Sequence, residues 1–235
     1  MTFKRKLAEV FSNQKEIEVA LRCNENCFKK EYNEELYGKI INFQGDKFSD
    51  KSFIKMIYDL LVDWGMNSRG AKLACYKDFE ESILTNAPNM KLLADKTIDN
   101  IDDQKVLGIL RQLFDNLVIV FSEQETKFVA FTKAMHLFFP SLVAPIDSNI
   151  HKFFFGRRIQ EGKDKQFERI IAILKEYKDF ARKTNLDIYR NGDWNKYLPK
   201  IIDNMVIGQV KQNGTSKETV IRKEIKFFHA TGGSK

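Results

Sequence analysis

Along most of the chain, apolar residues recur at three- and four-residue spacing, the repeat of helices that bury one face. Residues 2–12 and 31–43 both carry it. In FSDKSFIKMIYDLLVDWGM, Phe53, Ile57, Leu60, Leu61 and Trp64 share a face, Ser49 or Asp50 offers an N-cap, and Gly65 a left-handed stop. A helix is predicted from about Arg69 to Leu84, closed off before Pro88. Another runs over 102–121 with Val106, Ile109, Leu110, Leu113 and Leu117 inward. Ser122-Glu123-Gln124-Glu125 reads as a capping box that starts the next helix. Pro140 and Pro145 end that helix and frame a short loop. Asp147 then caps Ser148 to Phe155, which Gly156 terminates. Residues 164–183 form a long amphipathic helix, and after the Asn191-Gly192 turn Asp193 caps a helix through Val206. Near the end, TVIRKEIKFF fits a strand or a helix. Four prolines, twelve glycines and no repeat of solenoid period point to an all-α chain. The expected organisation is a single two-lobed helical domain over 1–210 and a basic tail over 211–235.

One stretch breaks the bland pattern. Residues 128–155 hold seven phenylalanines, and their only carboxylate is Asp147. Lys133 sits mid-helix with apolar neighbours on nearly every side, so it is expected to emerge at a cleft between packed elements. A cation and an anion in such surroundings must pair, reach water or do chemistry. Desolvation would make the Lys133 amine more nucleophilic. A helix N-terminus would keep Asp147 ionised. That combination suits attack at the anomeric carbon of a sugar. The amine displaces a base while the carboxylate steadies oxocarbenium-like charge. An exposed lysine and an ordinary N-cap would explain the same residues without chemistry.

Charge adds a partner class. The formal net charge is +7. From Ser148 onward there are 19 Lys/Arg against 10 Asp/Glu, net +9, whereas the residues before it hold 20 against 22, net −2. Such asymmetry fits either a phosphate-bearing partner or a solvated lysine-rich surface. Lys152, Arg157 and Arg158 follow the Asp147 helix and are the first candidates for phosphate contacts. Three cysteines (Cys23, Cys27, Cys75) in a chain with no signal-peptide pattern read as free thiols. His136, His151 and His229 lack paired spacing, so neither a metal nor a cofactor is expected. No apolar run reaches membrane-spanning length, and cytoplasmic residence is the expectation.

A mid-helix lysine, an apolar run and Pro-Ile-Asp opening a helix together resemble the active-site region of the helix-hairpin-helix DNA glycosylase superfamily, particularly its 8-oxoguanine-type members. The resemblance implies a Schiff-base nucleophile at Lys133 and an aspartate assisting base departure at Asp147. Two further segments, Trp64-Gly65-Met66-Asn67-Ser68-Arg69-Gly70 and Pro199 to Met205, look like parts of a divergent bacterial branch that also carries a central lysine and Pro-x-Asp. Together the matches reach from about residue 53 to 208. The glycine-rich hairpin turn that grips DNA phosphate in that family is missing, since Phe121 to Thr126 contains no glycine and two carboxylates.

The expected substrate-contacting set is Trp64, Asn67, Arg69, His136, Asn149, His151, Lys152, Arg157 and Arg158. Trp64 either closes its helix core or stacks on a base; Arg69 either opens a helix or binds an anion. His136 and His151 either line the cleft near Lys133 or are packed and hydrogen-bonded. Lys200 and Asp203, one turn apart, read as a structural pair. Three functions compete: a glycosylase-like enzyme acting on a base–sugar bond, a non-catalytic nucleic-acid-binding or protein-interaction module on the same fold, and a purely structural protein. The expected partner is nucleic acid, DNA more than RNA, with no membrane. Nothing in the sequence sets the oligomeric state.

Overall fold

Capping side chains and extended backbone set the element boundaries. The computed structural model describes residues 3–28, 33–67, 72–121, 126–157, 159 and 162–213. In chain order these form α1 (Leu7–Val10), α2 (Gln14–Phe28), α3 (Glu34–Ile41), α4 (Lys51–Asp63), α5 (Tyr76–Lys91), α6 (Gln104–Asn116), α7 (Phe128–Phe138), α8 (Ser148–Phe155), α9 (Lys163–Lys183) and α10 (198–213). Short 3-10 turns lie at Ile98–Asn100 and Asp187–Tyr189. Among the described residues the only extended pairing is an isolated bridge between Leu73 and Val120. The fold class is all-α, and no described helix is long and apolar enough to cross a membrane.

Several boundaries differ from the expected ones, each for a local reason. The helix expected over 2–12 shrinks to α1, and α2, absent from the reading above, follows it. Asn13 starts α2 by accepting from the Glu16 amide at 3.1 Å, while Glu16 accepts from Ser12 N at 2.7 Å. α5 begins at Tyr76 rather than near Arg69, and it runs through Pro88. Pro88 is exposed, so the carbonyl whose helical donor it removes lies on the solvent side, and one lost bond near the helix end is tolerated. α6 stops at Asn116, because Leu117 turns extended (φ −69°, ψ 132°) and the β-branched run that follows pairs with residues 72–74. Asp193 does not cap α10. It lies in the turn before it, accepting from Asn42 Nδ2 at 2.8 Å, and the helix instead starts after Tyr197 with Pro199 in its first turn. The Ser122–Glu125 box, Arg69, Arg158 and the end of the tail lie outside the described residues.

α7 is the hub. It packs on α3, α4 and α9, while α4 also meets α3 and α5, and α5 meets α6. Nine of its eleven residues are buried, leaving only Val129 and Lys133, one turn apart, in partial contact with solvent. Its first turn is closed from another element: Gln166 Oε1, on α9, accepts from the amides of Lys127 (3.0 Å) and Phe128 (3.1 Å). The buried apolar side chains form one contiguous core from Leu7 to Val206. α10 crosses α2 closely at Gly208, where a Cβ would overlap the Ala20 carbonyl oxygen.

Candidate functional site

Lys133 and Asp147 are set relative to each other by their chain neighbours. Thr132 Oγ1 donates to Ile146 O at 2.8 Å, linking the residue before the lysine to the residue before the aspartate. One turn on, the ring of His136 binds the same loop through Nδ1 to Val143 O at 2.7 Å. That carbonyl only accepts, so Nδ1 carries the proton and Nε2 accepts from Tyr37 Oη at 2.8 Å. Complete burial and the nearby Lys200 push the imidazole down to about 3, so it stays neutral. Asp147 has extended backbone (φ −99°, ψ −179°), and its Oδ1 accepts from Asn149 N at 2.7 Å and Ile150 N at 2.9 Å. Gly156, at φ 73°, ends α8 as the sequence suggests.

Lys133 and Asp147 line one cavity of about 140 Å³, roughly tenfold more than the ~10–15 Å³ one ordered water requires. Its wall draws on five parts of the chain: α2 gives Asn24, the end of α4 gives Trp64, α7 and the α8 cap give Lys133, Pro145, Asp147 and Asn149, the turn before α10 gives Trp194, and α10 gives Lys200, Asp203, Asn204, Ile207, Val210 and Lys211. Each tryptophan has a lysine against its ring. Lys133 Nζ is 5.5 Å from the Trp64 ring centre and 3.4 Å from its carbonyl oxygen; Lys200 Nζ is 4.4 Å from the Trp194 ring centre. Behind them Tyr37 meets both indoles, at 6.0 and 5.6 Å.

On α10, Lys200 and Asp203 form a nearly fully buried pair, Nζ to Oδ2 at 3.2 Å. Burial dominates the pair: it pushes the Asp203 carboxyl up to about 7, and Asp147 adds to the rise, although Lys200 and Lys133 oppose it. Desolvation therefore outweighs the attraction of two cations. Asp203 Oδ1 and Asn204 Oδ1 are buried and have no hydrogen-bond partner among the described residues.

Compared with family models, curated proteins and solved structures, the chain matches none. Of the residues singled out in the sequence, the structure gathers Lys133, Asp147, Trp64 and Asn149 around the cavity. His136 and His151 are fully buried and do not line it. His151 donates from Nδ1 to Arg157 O at 3.0 Å and accepts at Nε2 from Arg169 at 2.7 Å, so both nitrogens are engaged inside the protein. Asn67 is exposed, with its Oδ1 accepting from Leu73 N at 3.0 Å. Lys152 and Arg157 are exposed and lie outside the cavity wall. The sequence reading missed Asn24, Trp194, Asn204 and Lys211, and gave Lys200 and Asp203 only a structural part. PKIIDNMVI sets charged residues in an apolar helical run, the very pattern that singled out Lys133.

Proposed function

We propose that this chain is a glycosylase-like enzyme acting on a base–sugar bond, with Lys133 as nucleophile and Asp147 as the carboxylate facing the sugar. The observation that supports it best is the shared cavity: an amine and a helix-capping carboxylate, fourteen residues apart in sequence, line one pocket that also holds both tryptophans. The reading extends to the helix-hairpin-helix glycosylase fold and to nucleic acid, DNA before RNA, as partner. The lysine helix followed by a Pro-Ile-Asp cap carries that part.

In this scheme the Lys133 amine, as the free base, forms a bond to C1′ while the C1′–base bond breaks and its electron pair leaves with the base. Asp147 faces the positive charge that develops on the sugar, its Oδ1 held by two helix amides. Opening of the sugar ring then leaves an imine between Lys133 and C1′. Borohydride reduces that imine to a stable amine, so wild-type protein incubated with abasic or base-damaged DNA and borohydride should cross-link. Lys133→Ala should abolish the cross-link. Asp147→Asn should slow it about tenfold or more with little change in melting, since Asn also caps helices well. Single strands, bubbles and nucleosides belong in the panel beside duplexes, because an unstacked base costs less to present. Cross-linking that persists in Lys133→Ala would move the chemistry to another amine. Its absence across the panel would favour a non-catalytic binder on the same fold.

A further inference from the structure

The orientation of Asn204 is settled by its neighbours. Glu25 is a carboxylate and can only accept, so Asn195 turns Nδ2 toward it at 3.3 Å and toward Asn191 Oδ1 at 3.1 Å. Asn195 Oδ1 then faces Asn204 Nδ2 at 2.8 Å, and the Trp194 carbonyl takes the same nitrogen at 3.3 Å. A flipped Asn204 would set oxygen against two oxygens, so Oδ1 is the atom left over. The next residue back repeats the pattern. Asp203 gives Oδ2 to Lys200 and keeps Oδ1 without a partner. Asp203 is 3 % exposed and Asn204 1 %, and both line the cavity. Below about pH 7 the carboxyl keeps its proton, on Oδ1 because Lys200 holds Oδ2. Once it ionises, two buried acceptors stand without donors, which is costly unless something that enters the cavity satisfies them.

We propose that Asp203 Oδ1 and Asn204 Oδ1 form a subsite for the amino group of a heteroaromatic ring, the class of nucleobases that includes adenine and cytosine. This rests on the base–sugar reading above and names which bases it concerns. An exocyclic amine brings two N–H donors on one nitrogen, which matches two acceptors from consecutive residues. An anion is disfavoured, because it would meet acceptor oxygens. A cationic amine is disfavoured as well, since Lys200 and Lys211 line the cavity and Lys200 already offsets the Asp203 charge. The donor is therefore neutral. Trp64, Trp194 and Pro145 supply flat apolar wall for a planar ring. The raised Asp203 carboxyl accords with this: a donor at Oδ1 is what an ionised carboxylate there lacks.

The chain has two tryptophans, Trp64 and Trp194, and both line this cavity. Quenching of intrinsic tryptophan fluorescence is thus a local report of occupancy. The test titrates the full-length protein, at a pH well above 7 where Asp203 is ionised, with free adenine, cytosine, hypoxanthine and uracil, each pair differing by amino against oxo. Adenine and cytosine should bind at least tenfold more tightly than their oxo counterparts. Asp203→Asn should reverse the preference, because Lys200 holds the amide oxygen and turns the NH2 toward the ligand; a purely structural role for Asp203 would weaken all four bases alike. Equal affinities in the wild type, a preference for the oxo bases, or no quenching by any of them up to solubility overturns the subsite. The wild-type comparison needs no variant to fold. The result is also separable from the catalytic reading. Amino-base preference without borohydride cross-linking keeps the subsite and removes the chemistry, whereas cross-linking without that preference does the reverse.

Discussion

Asp203 shows how one side chain links the energetics of the fold to the site. Burial and the neighbouring Asp147 raise its carboxyl from 3.8 to about 7. Between those values the folded chain holds a proton that the unfolded chain has released. Stability contributed by this group is therefore full below the ordinary carboxylate range, falls as pH rises toward about 7, and is flat above it. The size of that decline is on the order of 4 kcal/mol. Urea unfolding across this range should show the wild type losing stability with rising pH, and Asp203→Asn should flatten the slope, because a neutral amide has no proton to release while its oxygen still accepts from Lys200. An unchanged slope in the variant would mean Asp203 ionises normally in the fold. At this scale the sequence pointed to four of the thirteen residues in the wall. Lys133 and Asp147 stand out because each is the lone charge of its kind in an apolar run. Asn24, Trp194 and Asn204 carry no such contrast, and only tertiary packing brings α2 and α10 to the same cavity.

Helices reveal a different limit. α4 and α8 were legible because period, cap and stop agree: Asp50 caps α4 by accepting from Ser52 N and Phe53 N, and Gly65 follows at φ 75°. α9 showed by its long apolar period alone. α2 was not, because its apolar stripe is thin and interrupted by Asn24 and Asn26, although the Asn13–Glu16 start signal was present. α6 was overextended because Val118, Ile119 and Val120 continue its apolar character, and their preference for extended backbone showed only once they met residues 72–74. The α2–α10 contact permits a paired test. Gly108, on α6, has nothing near the place a Cβ would take, whereas a Cβ at Gly208 would overlap Ala20 O. Gly108→Ala should stabilise by about 0.5–1 kcal/mol through helix propensity. Gly208→Ala should destabilise by roughly 1–3 kcal/mol despite the same gain, because the helices must separate. Thermal melting of the two variants reads opposite signs if α10 seats on α2 as described.

For the whole molecule, the excess of positive charge lies after Ser148, while the cavity wall is assembled from both halves of the chain. Lys152 and Arg157 are exposed beyond the α8 cap. For the proposed nucleic-acid partner, replacing either with Ala should lower the salt slope of binding by about one and weaken all sequences alike. Binding unchanged between low and moderate salt would exclude this mode. Long-range assembly of the site has one more consequence, which follows from the way α7 begins. Gln166 closes the first turn of the lysine-bearing helix from α9 by accepting from the amides of Lys127 and Phe128. The register of Lys133 is thereby tied to a helix that lies beyond it in the chain. Over descent, a single change at Gln166, some thirty residues downstream in sequence, should therefore be felt at the Lys133 amine.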